Sequence, residues 1–281
     1  MFAALVAICL ALGLYTWIGA PLTFAIVAST LWIVVSRYGI WGWKPTIVES
    51  LILLAMVGLL VALLLPAVQS ASSGGPRERC YGNLKEIGLA LHSYHDRYDS
   101  FPPAVVYDER GRPMHSWRVL LLPFMEEQAL YEAYRFDEPW DGPNNRQLHA
   151  RMPRTFRCPK HATTAADETS YVAIVGPGTA WPEAGARTLD EFRDGTANTL
   201  LVVETHNSGI CWLEPRDLHV QQMPFAVNSK TQRGISSSHP GGALTLRADG
   251  SVRFYSDKTS AEKLRALISV DGGETTTAED K

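Results

Sequence analysis

The first 36 residues carry no Asp, Glu, Lys, Arg or His. As a single helix they would run roughly 54 Å, against a hydrocarbon core of about 30 Å. Gly19-Ala20-Pro21 interrupts the run, because proline removes a backbone donor and favours a turn. The pattern therefore predicts a two-span membrane hairpin over residues 1–36, with spans near 2–19 and 22–35. A secretory signal peptide fits less well, since no basic residue precedes the apolar run and no small-residue cleavage site opens into polar chain. A short loop at 37–46 holds Arg37 and Lys44. A third apolar stretch, 47–68, is broken only by Glu49 and Ser50 and is long enough to cross a bilayer. Cationic residues favour the cytoplasmic side. The loop and the amino terminus are thus expected in the cytoplasm, and everything after Val68 outside it.

Beyond a Ser/Gly/Pro linker at 69–77 the pattern changes to that of a water-soluble domain, expected over 78–274 and followed by a disordered tail at 275–281. Leu84, Ile87, Leu91 and Tyr98 recur at helical spacing and predict an amphipathic helix ending before Phe101-Pro102-Pro103. Short β-rich runs follow at 117–121, 171–175 and 199–204, with a short helix at 124–134. Leu244 and Leu246 alternate with polar residues, as do Val252 and Phe254. Asp249-Gly250 lies between them and predicts a hairpin with a tight primed turn. The fold class is α+β: N-terminal transmembrane helices followed by an extracytoplasmic antiparallel-sheet domain.

Charge changes the picture little. The 281-residue chain has a formal net charge of -3, which gives no electrostatic footprint for nucleic acid. The lipid bilayer is the partner the pattern names. Candidate chemistry is sparse. Glu49 stands near the start of a lipid helix, where a carboxylate is costly unless it is paired or lies at the headgroup level. His92 and His95 share a helix face, as a metal pair or as packing surface. Glu204, His206 and His239 are candidates for a polar site around a ligand or cation; His239 equally suits a loop-capping role. Asp194-Gly195-Thr196-Ala197-Asn198-Thr199 is an oxygen-rich turn that either holds calcium or satisfies its own backbone. Calcium apart, no cofactor is expected. Of the four cysteines, Cys80, Cys158 and Cys211 fall on the outer side, where disulfides form.

Several blocks together carry a resemblance. Thr46-Ile47-Val48-Glu49, the apolar run and Leu65-Pro66-Ala67-Val68 resemble a type IV prepilin-like helix, with Glu49 at the pilin glutamate and Pro66 at the kink proline. Cys80-Tyr81-Gly82-Asn83-Leu84-Lys85-Glu86-Ile87-Gly88-Leu89-Ala90-Leu91-His92-Ser93-Tyr94-His95-Asp96, then Phe101-Pro102-Pro103, resembles a large bacterial prepilin-like family of unknown function. The late H-x(9)-D-G motif, here His239 and Asp249-Gly250, fits the same family, as do Phe156-Arg157-Cys158-Pro159 and Gly272-Gly273-Glu274. The resemblance implies a pseudopilin-like domain, with pilin-like or secretion-system subunits as partners and a Cys80–Cys158 disulfide, both residues being landmarks of the family. Family members begin with a basic leader ending in Gly before Phe-Thr. Here Lys44-Pro45 occupies the cleavage position, and proline is expected to resist processing.

No G-x-S-x-G, H-E-x-x-H, phosphate loop or C-x-x-C is present. The expectation is a non-enzymatic, membrane-anchored protein with a structural, assembly or surface-scaffold role. The alternatives are an extracytoplasmic solute- or glycan-binding module using Trp140, Trp181 and Trp212, and a hydrolase built on Glu204, His206 and His239.

Overall fold

The computed structural model describes residues 48, 55–56, 75–161 and 165–272. The chain divides into two compact units, Met1–Ser73 and Gly74–Lys281, and every element below belongs to the second. The expected membrane spans, Glu49, Pro66, Gly273-Glu274 and the tail lie outside the described residues. Among the described residues no helix is long and apolar enough to cross a membrane.

Helix α1 spans Pro76–Tyr98. It opens on proline at the first helical position, where the missing N–H has no intrahelical role, so residues 76 and 77 are helix rather than linker. Glu78 in the first turn and His95 and Arg97 in the last suit the helix dipole. Asp99 ends the helix in the left-handed region, φ 56°, with its N–H on the His95 carbonyl. The buried face holds Cys80, Leu84, Ile87, Gly88, Ala90 and Leu91; Leu84, Ile87 and Leu91 follow the predicted stripe, whereas Tyr98, the last residue of the helix, is exposed.

Strands β1 (Val105–Tyr107) and β2 (Pro113–Ser116) form a small antiparallel pair. The strand expected at 117–121 is a helix instead, α2 (Trp117–Leu121). Ser116 caps it, accepting from the Arg118 N–H. Arg118 then turns inward to the buried carboxylate of Asp217, 2.5 Å away. The helix expected at 124–134 is shorter, α3 (Gln128–Ala133), because a 3-10 turn at Leu122–Phe124 and a left-handed Glu126, φ 58°, precede it.

The expected strand at 171–175 divides into β3 (Tyr171–Val172) and β4 (Ile174–Val175). The central antiparallel sheet runs β3-β5-β7-β8, with β5 at Leu200–Glu204, β7 at Gly242–Arg247 and β8 at Val252–Ser256. All five residues of β5 are buried, as befits a strand covered on both faces. Leu244 and Leu246 of β7 join the α1 side of the core, and Ala243 joins the opposite side, with helix α4 (Ala261–Ile268). A short parallel pair, β4 with β6 (Leu218–His219), lies apart from this sheet.

The β7–β8 connection is not a two-residue primed turn. Gly250 is left-handed, φ 78°, and Asp249 is not. The Gly250 N–H reaches the Arg247 carbonyl and the Arg247 N–H reaches the Ser251 carbonyl. That is a three-residue loop closed by a glycine bulge. Asp249 accepts from the Ser251 N–H at 2.8 Å.

At the other end of β7, a Cβ on Gly242 would sit 2.0 Å from the Tyr255 carbonyl oxygen. Gly242→Ala must push the two strands apart. It is expected to cost about 3 kcal/mol, the upper end for overpacking, read as a lower denaturant midpoint at unchanged slope.

Candidate functional site

Four chain segments bring their polar groups together where α1 begins. Cys80 lies one turn into α1 and is fully buried. Cys158 follows a 3-10 turn at Arg154–Phe156, and its N–H is held by the Ser170 hydroxyl at 3.0 Å. The two cysteines form a disulfide with a Cα–Cα distance of 5.2 Å. His239 comes from the loop before β7, its N–H on Ser237 Oγ at 3.1 Å. Its Nε2 stands 3.2 Å from Cys80 Sγ and 3.4 Å from Cys158 Sγ. Glu204 ends β5, where its side chain extends the β5–β7 pairing: Oε2 accepts from the Leu244 N–H at 3.0 Å. Oε1 lies 3.7 Å from His239 Nε2 and has no hydrogen-bond partner, although it is buried.

Tyr171 and Asn83 close the other side. Tyr171 faces Glu204 across β3 and β5, and its hydroxyl donates to the Cys80 carbonyl at 3.4 Å. Asn83 donates to the Arg157 carbonyl at 2.8 Å and to the Tyr171 hydroxyl at 3.3 Å. Neither residue was singled out as a site residue from the sequence. The available signal was that Asn83 lies three residues after Cys80, and so on the same helix face.

Burial sets the electrostatics. It pushes the Glu204 carboxyl up to about 7, against the Leu244 N–H, the influence of the Ser237 hydroxyl and the charge of Arg77. Burial also lowers His239, helped by the charges of Lys160 and Arg77. Burial thus favours the neutral form of both groups. The Glu204 value is raised above its unfolded value. Its contribution is thus fully present below about pH 4.5 and is lost as pH rises through about 7. Glu204→Gln, which keeps an acceptor for Leu244, is expected to remove that dependence. Between pH 4.5 and pH 8 the stability of the variant should rise relative to wild type by about 3 kcal/mol. Parallel denaturation curves for the two proteins at both pH values test this; a constant difference rejects it.

The other sequence candidates fall elsewhere. His206 pairs its Nδ1 with Ser238 Oγ at 2.9 Å and its N–H with Ser236 Oγ at 3.0 Å, and it is not among the groups gathered at the sulfurs. Asp249-Gly250 is at the opposite end of β7 from His239, so the two halves of that motif serve different places. His92 and His95 set their rings against Phe101, at 5.8 and 5.3 Å, as packing surface. In the turn at 194–199, Asp194 Oδ2 accepts from the Gly272 N–H and Thr199 Oγ1 donates to the Gly195 carbonyl. Trp181 and Trp212 are buried and donate to the Leu201 and His149 carbonyls, and Trp140 stacks on His149. These three pin loops to the body. Cys211 is a half-buried free cysteine, with its thiol pushed up to about 11, chiefly by burial.

The arrangement suits a covalent staple with an imidazole and a carboxyl turned toward it. All four residues are buried. The family described as a protein of unknown function (DUF1559) matches residues 75–188 and 211–262 of the chain. No curated protein and no solved structure matches it.

Proposed function

The chain belongs to the DUF1559 family, and from that premise we propose that it is a membrane-tethered, extracytoplasmic pseudopilin-like protein with a structural or assembly role. One observation carries the reading: the domain is stapled to its own entry helix. The chain enters the domain at Gly75, and four residues into α1 Cys80 is bonded to Cys158. A pull on the domain from its N-terminal side acts first on the start of α1. The disulfide passes that load covalently to the domain body before the noncovalent contacts of Leu84, Ile87 and Leu91 are engaged. A buried disulfide also fits an oxidising compartment. A long helix on an antiparallel sheet is the arrangement expected of a pilin-like domain, with residues 1–68 as the anchor in the cytoplasmic membrane.

No catalytic role is assigned. The partners proposed are the bilayer and other pilin-like or secretion-system subunits. The full chain is expected in the membrane fraction, with its domain digested by protease added to spheroplasts and Cys80–Cys158 oxidised in non-reducing mass spectrometry. Cross-linking in cells is expected to recover pilin-like subunits. A domain protected from external protease, with both thiols reduced, rejects the proposal.

A further inference from the structure

The groups around the disulfide are also a set of metal ligands. One donor atom from each of Cys80, Cys158, Glu204 and His239 lies within 4.8 Å of all the others, and all four residues are buried. Two sulfurs, an imidazole nitrogen and a carboxylate oxygen are the donors that zinc and similar divalent cations take in four-coordinate sites. We propose that, once Cys80 and Cys158 are reduced, these four residues form a tetrahedral site for a divalent cation of the zinc type, so that disulfide and metal are alternative states of one pocket.

The geometry needs little rearrangement. Bond lengths of about 2.3 Å to sulfur and 2.0–2.1 Å to nitrogen put sulfur and nitrogen about 3.6 Å apart in a tetrahedron. His239 Nε2 already stands 3.2 and 3.4 Å from the two sulfurs. Nitrogen and carboxylate oxygen require about 3.3 Å, against 3.7 Å here. The sulfurs must separate, and reduction frees them to do so; the carboxylate oxygen stands within 4.8 Å of both. Glu204 supplies the second observation. Its Oε2 is fixed by the Leu244 N–H, which orients the carboxylate as outer-shell hydrogen bonds orient metal ligands. Its Oε1 is buried without a hydrogen bond and faces His239. A cation would give that oxygen a partner. Two thiolates and a carboxylate bring three negative charges to a doubly charged cation. The charges of Arg77 and Lys160 reach this site and offset the excess.

The chemistry balances with a dithiol as reductant. It delivers two electrons and two protons to the S–S bond and leaves as its own disulfide. Binding of the cation then displaces both thiol protons, and the Glu204 proton where it is still held, to water. Cobalt(II) is the probe, titrated into the full-length, detergent-solubilised chain. One sample is oxidised. The other is reduced with dithiothreitol and desalted under anaerobic conditions. The reduced protein is expected to bind one equivalent, with thiolate-to-cobalt charge transfer and tetrahedral ligand-field bands that zinc abolishes; the oxidised protein is expected to show none. Glu204→Gln and His239→Ala, each first shown to carry the disulfide and an unchanged circular dichroism spectrum, are expected to bind cobalt at least about tenfold more weakly when reduced. If reduction alone unfolds the domain, cobalt is expected to restore its circular dichroism. The proposal is overturned by a reduced, folded wild type without these bands, by an unfolded one that cobalt does not restore, or by undiminished binding in both variants.

Discussion

Asp217→Ala is expected to destabilise the folded domain by about 3–5 kcal/mol, the range for removing one partner of a buried ion pair. The substitution strands a charge. The Arg118 and Asp217 side chains are both fully buried, 2.5 Å apart. Asp217 also accepts from the Trp117 indole at 3.1 Å and the Ala173 N–H at 2.8 Å. The Arg118 guanidinium donates to the Tyr171 carbonyl and to Ser116 Oγ. With Asp217 gone, a guanidinium with no route to water keeps only neutral acceptors. Replacing both residues together by apolar ones of similar volume is expected to cost far less, because no charge is then left buried. Chemical denaturation of the two variants separates the cases. A single variant within about 1 kcal/mol of wild type, the range of an exposed pair, would show that water reaches the cluster.

The second large effect concerns the staple. Cys80 and Cys158 are 78 residues apart in sequence. The chain-entropy relation gives a loop of that length about 4–5 kcal/mol of stabilisation, by restricting the unfolded chain. Cys80→Ala with Cys158→Ala is expected to forfeit most of that. For a domain of this size the melting temperature should fall by about 10 °C or more. Calorimetry on the oxidised wild type and the double variant reads the difference. A fall of only 1–2 °C would mean that local packing already restricts the unfolded chain in that region.

The elements read correctly from sequence are those whose signals are local. The α1 stripe, the alternation of Leu244 and Leu246 against Val252 and Phe254, and the apolar β5 each state their own conformation. Trp117–Leu121 misleads because its apolar run reads equally as strand or helix. The choice rests on the Ser116 cap and on a partner for Arg118 that lies 99 residues away. Glu204 and His239 were legible as polar residues at the edges of strands, and Cys80 and Cys158 as a pair only through the family resemblance. That the two pairs share one pocket was not legible, because Cys80 and His239 are separated by 159 residues. Only the folded sheet brings the end of β5 and the loop before β7 to the first turns of α1.

The spacing between His239 and Asp249-Gly250 now acquires a physical meaning as a ruler. The imidazole sits against the sulfurs at one end of β7, and at the other end the loop docks on α1, where Lys85 donates to the Gly250 carbonyl at 2.8 Å. The strand between them must therefore match the distance between two fixed points on one helix. Deleting a single residue from β7 would shorten it by about 3.3 Å. It would also send either Leu244 or Leu246 to the wrong face of the sheet. The interval is thus a length gauge, and both ends of the domain are set by it at once.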